Sequence, residues 1–128
     1  MIDHVSLAVA DLARSAAFYA RVLEPLGLTR LVEREGTVGF GKTYPEFWLN
    51  ARDGLSPQPE TTGTHVALRA KSEDAVRAFH AAALAAGGKD AGRPGARQGA
   101  MTTYYGAFIL DPDGNKIEAV NFPRAEDP

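Results

Sequence analysis

Two stretches of the chain begin alike. "HVSLAVADL" opens at His4, and "HVALRAKSE" opens at His65, 61 residues on. The likeness runs without a gap over residues 4–27 and 65–88. His4, Val5 and Leu7 meet His65, Val66 and Leu68; Ala17-Phe18 meets Ala78-Phe79; Ala20, Leu23 and Gly27 meet Ala81, Leu84 and Gly88. An internal repeat constrains a fold more than any composition does, because it demands two copies of one supersecondary unit.

Each copy opens with alternation. Val5, Leu7 and Val9 share one face of a strand, with His4, Ser6 and Ala8 on the other; Val66 and Leu68 oppose His65, Ala67 and Arg69 in the same way. A helix follows in each. Asp11 caps residues 12–25 and Ser72 caps 73–86. Gly27 and Gly87-Gly88 are the stops, and Pro25 trims the first helix's last turn. Short strands come next, at 28–34, 37–41 and 45–51, then at 89–91, 101–110 and 115–121. Asp111-Pro112-Asp113-Gly114 is a turn joining the last two. The predicted fold is therefore α+β: two tandem βαβββ modules whose curved mixed sheets surround a cavity. The first spans 1–52, a linker 53–63, the second 64–128, all as one structural domain. The glycine-rich stretch 92–100 is expected to be an irregular binding loop or lid.

The 128 residues fit that single domain. A formal charge of −2 without blocks of like charge argues against nucleic acid and membrane surfaces as partners. No apolar run approaches a membrane span, and the N-terminus lacks the basic region of a signal peptide. The absence of cysteine excludes disulfides, thiolate metal sites and a cysteine nucleophile. The expected location is cytoplasmic.

With Val5, Leu7, Val66 and Leu68 against the helices, His4 and His65 point to the concave side. Ile117 and Ala119 read as core, so Glu118 shares the histidines' side. Two imidazoles and a carboxylate suit a divalent first-row metal with open positions for water or substrate. The competing reading is a hydrogen-bonded polar cluster left by duplication, without metal. Tyr104 and Phe108 share a face and, with Trp48, read as pocket walls or as core. Ser6 and Arg69 lie on the histidines' faces. Arg97, with Arg93, sits in the glycine-rich stretch and reads as an anion clamp or a solvated loop charge. His80 reads as a surface or helix-packing residue, and Asp111 and Asp113 as turn residues.

The stretches "DHVSLAVADLARSAAFYARVLEPLGL", "THVAL" and "AFILDPDGNKIEAV" resemble the vicinal oxygen chelate superfamily, which holds glyoxalase I, extradiol dioxygenases, fosfomycin-resistance thiol transferases and bleomycin-binding proteins. The resemblance covers nearly the whole chain and implies the paired-module, glyoxalase-like fold. It makes His4, His65 and Glu118 the metal ligands, with iron, manganese, zinc or nickel as the divalent ion, and Glu118 also catalytic. It implies a homodimer in which His4 joins His65 and Glu118 of the other copy, or else a site within one chain. Glyoxalase I carries a fourth ligand where Trp48 stands here; Glu46, two residues earlier on the same face, takes that place only if the register slips. The expected function is a metal-dependent enzyme acting on a small oxygenated substrate, of lyase or isomerase type first and dioxygenase or thiol transferase next. The alternative is a metal-free protein that sequesters a small molecule, as the bleomycin-resistance type does.

Overall fold

The computed structural model describes residues 1–123 of the chain; 124–128, the end of the second module, lie outside the described residues. The elements run β1 (Val5–Val9), α1 (Leu12–Val22), β2 (Thr29–Arg34), β3 (Thr37–Gly41), β4 (Pro45–Ala51), then β5 (Val66–Arg69), α2 (Glu73–Ala85), β6 (Lys89–Gln98), β7 (Thr103–Leu110) and β8 (Lys116–Asn121). They form two four-stranded sheets, ordered β1-β4-β3-β2 and β5-β8-β7-β6. In each the first strand pairs parallel with the last, and the remaining pairs are antiparallel. The repeat thus folds as two α+β modules of one topology.

Local chemistry sets the boundaries. The Asp11 carboxylate accepts from the Arg14 amide and the Ser72 hydroxyl from the Ala75 amide, satisfying donors that a helix start leaves orphaned. The first helix stops at Val22, short of 25, because Pro25 has no amide proton to continue the ladder; a 3-10 turn over Glu24–Leu26 ends on Gly27 at φ 83°. No described helix is long and apolar enough to cross a membrane.

Phe18, Tyr19, Val22, Phe47 and Leu49 of the first module and Val76, Phe79, Ile109 and Ile117 of the second are buried in one core. The alternation explains this: Phe47 and Leu49 face the helices, and so do Ile117 and Ala119, leaving Trp48 and Glu118 on the opposite faces.

The turn at 111–114 also fastens the modules together. Tyr19 donates its hydroxyl to Asp111 at 2.6 Å, the Ala10 amide donates to Asp113 at 3.1 Å, and Asn115 donates to the Ala8 carbonyl at 3.1 Å. Burial pushes the Asp111 carboxyl above its ordinary range; burial, then the Asp111 charge, holds the Tyr19 phenol far above its own.

One expectation fails. Residues 92–98 are not an irregular loop but the second part of β6. The strand is kept in the sheet by register shifts between Asp90 and Gly92 and between Gly92 and Gly95. It is an edge strand, where proline and bulges cost little pairing. Only Gly99 to Thr102 remain as the hairpin connection, closed by the Gly99 amide on the Thr102 carbonyl at 2.8 Å.

Candidate metal and substrate site

The second sheet builds a pocket of about 740 Å³ on its helix-free face. Its walls come from β5 (His65 just before it, then Ala67 and Arg69), β8 (Glu118, Val120) with Phe122 beyond, and Tyr104 with the 99–102 turn. Parallel pairing sets Ala67 beside Glu118, so His65 and Glu118 rise from neighbouring strands on one face. His65 Nε2 lies 3.3 Å from Glu118 Oε1, and Tyr104 donates its hydroxyl to the other carboxylate oxygen, Oε2, at 2.8 Å. Glu118 is only 4% exposed. Its burial is tolerable because both oxygens are engaged. Burial first, and the bond to Glu118 second, push the Tyr104 phenol up, so it stays a donor at neutral pH. Gly106 makes this contact geometrically feasible: a Cβ there would stand 2.9 Å from the Tyr104 ring and 3.2 Å from Glu118 Oε2.

The first sheet carries the corresponding positions without the carboxylate. Ser6 pairs with Trp48 as Ala67 pairs with Glu118, so Trp48, not Glu46, stands where Glu118 stands in the second module. Trp48 lies over Gly39, whose absent Cβ would come 2.9 Å from the indole. His4, just before β1, is half-exposed; its Nδ1 meets Asp3 at 2.8 Å, and Tyr44 donates to the same carboxylate at 2.8 Å. The His4 bond, then the Tyr44 bond, hold Asp3 below the usual carboxylate range. Glu46 is exposed on the Trp48 side of β4.

Within one chain His65 and Glu118 meet and His4 does not join them. Among the described residues no three histidine or acidic side chains converge closely enough to hold a metal ion. Ser6 lines a separate, smaller cleft of about 310 Å³, which His65 also borders. Arg69 and Tyr104 line the main pocket. Phe108 sets its ring edge-on to His65, with centroids 5.4 Å apart, and lies between the charges of Arg97 and Lys116. Arg97 is turned away from the pocket: its guanidinium donates to the carbonyls of Gly95, Arg93 and Gly106, pinning the bulged edge strand. His80, on the buried face of α2, sets its Nε2 2.9 Å from Asp90.

The donor set nonetheless fits two ligand positions for a divalent ion. An imidazole nitrogen and a carboxylate oxygen anchored by Tyr104 lie 3.3 Å apart on one face of the second sheet. Sequence reading missed Met101, Val120 and Phe122 in the wall. Alternation onward from Glu118 was the available signal for the last two.

The Glyoxalase/Bleomycin resistance protein/Dioxygenase superfamily profile matches residues 1–119, nearly all of the chain. The chain belongs to this superfamily. A glyoxalase/bleomycin resistance protein from Albidiferax ferrireducens T118 is 33% identical, with a TM-score of 0.83 over 93% of this chain and 97% of that one. A glyoxalase/bleomycin resistance protein/dioxygenase family enzyme from Burkholderia phytofirmans PsJN shares the fold at 18% identity and a TM-score of 0.70, over 95% and 98% of the two chains. A glyoxalase I variant from Zea mays does so at 24% identity and 0.70; 92% of this chain matches 45% of that longer one. No curated protein sequence matches the chain. The superfamily takes in enzymes and binding proteins alike, so membership fixes the scaffold, and the reaction has to be argued from the site.

Proposed function

We propose that the chain is a metal-dependent enzyme of the glyoxalase type, acting on a small substrate held through two neighbouring oxygens, by lyase or isomerase chemistry. The observation that carries this reading is the His65–Glu118 pair: a buried carboxylate, tied by Tyr104 on one side, turns its other oxygen to an imidazole in a pocket. A nitrogen and oxygen donor set of this kind suits iron, manganese, zinc or nickel. Such an ion, when bound, supplies Lewis acidity toward the substrate oxygens.

The third donor, His4, comes from a second copy in a homodimer. Asp3 holds its Nδ1, the arrangement that orients an imidazole to donate through Nε2. Tyr104 holds Glu118 in place. Glu46, exposed on the His4 side, is the carboxylate positioned to move a proton once the two half-sites meet. Ring-opening dioxygenation and thiol transfer are the next reaction classes in line.

One observation favours a second reading, a metal-free protein that sequesters small molecules: His65 and Glu118 already partner each other, beside an apolar wall of Met101, Val120 and Phe122. Metal content of the untagged protein, by mass spectrometry, separates the two. The enzyme reading expects metal that is lost in His65→Ala. Protein that stays empty after incubation with each of the four ions rejects it.

A further inference from the structure

A second cavity, of about 420 Å³, adjoins the His65–Glu118 pocket and shares Arg69 and Phe122 with it. Its remaining walls are Lys42, Ala70, Lys71 and Asn121. Three of these six residues are cations and none is an acid, in a chain whose net charge is −2. Among the described residues none of the three cations has a carboxylate within salt-bridge reach. We propose that this cavity binds the anionic end, a carboxylate or a phosphate, of the small molecule whose other end reaches His65 and Glu118.

Three features support a built site over scattered surface charge. The Arg69 guanidinium lies 5.4 Å from the centroid of the Phe122 ring, which restrains it at the junction of the two cavities. Asn121 donates to the Ala70 carbonyl at 3.0 Å and fixes the wall between Arg69 and Lys71. The cavity also lies where the β3–β4 connection of one module meets the β5–α2 connection of the other, so neither module makes it alone. The repeat adds a comparison: Arg69 and Lys71 correspond to Ala8 and Ala10, so the two cations belong to one copy only. Clustered cations facing a concave wall concentrate anions and hold them through charge-assisted hydrogen bonds.

That the far end reacts at His65 rests on the function proposed above; the anion site itself does not. The test uses the full ¹⁵N-labelled chain, titrated with inorganic phosphate and, separately, succinate, at low and high salt. Backbone amides of Lys71, Asn121 and Phe122 should shift with at least one anion, and the stronger binder tells phosphate from carboxylate. Lys42→Gln and Lys71→Gln should each weaken binding about fivefold to tenfold, and Lys71→Arg should restore it. His65→Ala should bind the anion as the parent does while losing metal, so failure of the metal reading leaves this result intact. No saturable shift with either anion, or binding as tight as the parent's in both glutamine variants, overturns the proposal.

Discussion

The two modules carry the same backbone and opposite fillings. At one β4-equivalent position the first module has Trp48 and the second Glu118; across the neighbouring strand pair, Gly39 faces Trp48 and Phe108 faces Glu118. The large residue has changed strand. In the first module the glycine makes room for an indole; in the second a phenylalanine edge supports His65, while Gly106 makes room for Tyr104 to reach the carboxylate. Duplication therefore preserved register and core, and the helix-free faces diverged into an anchored donor pair on one side and an aromatic surface with an outlying histidine on the other.

The largest expected effects come from the two glycines. Gly39→Ala and Gly106→Ala each force a ring away from a 2.9 Å contact, at a cost of about 1–3 kcal/mol as overpacking, measurable by urea unfolding. The sites separate by a second readout: only Gly106→Ala should lower metal affinity, because only there does the displaced ring hold Glu118, the carboxylate proposed as a ligand. Equal losses of metal affinity in both would erase the distinction between the modules. Tyr104→Phe removes the hydroxyl from Glu118 without adding bulk; metal affinity should fall about tenfold, as for other partners of a ligand, by competition against a chelator. Trp48→Phe should leave it unchanged.

The smallest effects are in pH dependence, and they differ in sign between two acids of the second module. Asp111 is raised by burial, so the folded chain holds its proton at pH values where the unfolded chain has released it. Its contribution is most favourable below the ordinary value of 3.8 and is lost as pH rises through the folded value. Asp90 is lowered, first by His80 and then by the Gly92 amide; its contribution is present above 3.8 and lost as pH falls through the folded value. In urea midpoints followed from pH 7 to pH 3, Asp111→Asn should steepen the loss on acidification relative to the parent, and Asp90→Asn should flatten it. The same change of slope in both would contradict the assignment.

Much of this was legible in the residues. The 61-residue repeat carried the two modules, the alternation around His65 and Glu118 carried their common face, and Asp111-Pro112-Asp113-Gly114 carried the last turn. Residues 92–98 misled because glycine and proline mark loops in most settings, whereas an edge strand absorbs them as bulges, here pinned by Arg97. The separation of His4 from His65 stayed open between two alternatives, a site shared with a second copy and a site within one chain, for a different reason. A repeat establishes that two residues hold equivalent positions in their modules, but says nothing about whether the modules turn those faces toward each other.

That separation makes the shared site the claim most open to direct test. His4→Ala and His65→Ala proteins should each bind almost no metal. Mixed, unfolded and refolded together, they should recover about a quarter of the parent's metal: half the dimers are mixed by chance, and each mixed dimer holds one intact site of two. Full loading of His4→Ala alone, or a mixture as empty as its components beside a loaded parent, would contradict a site completed by the second copy.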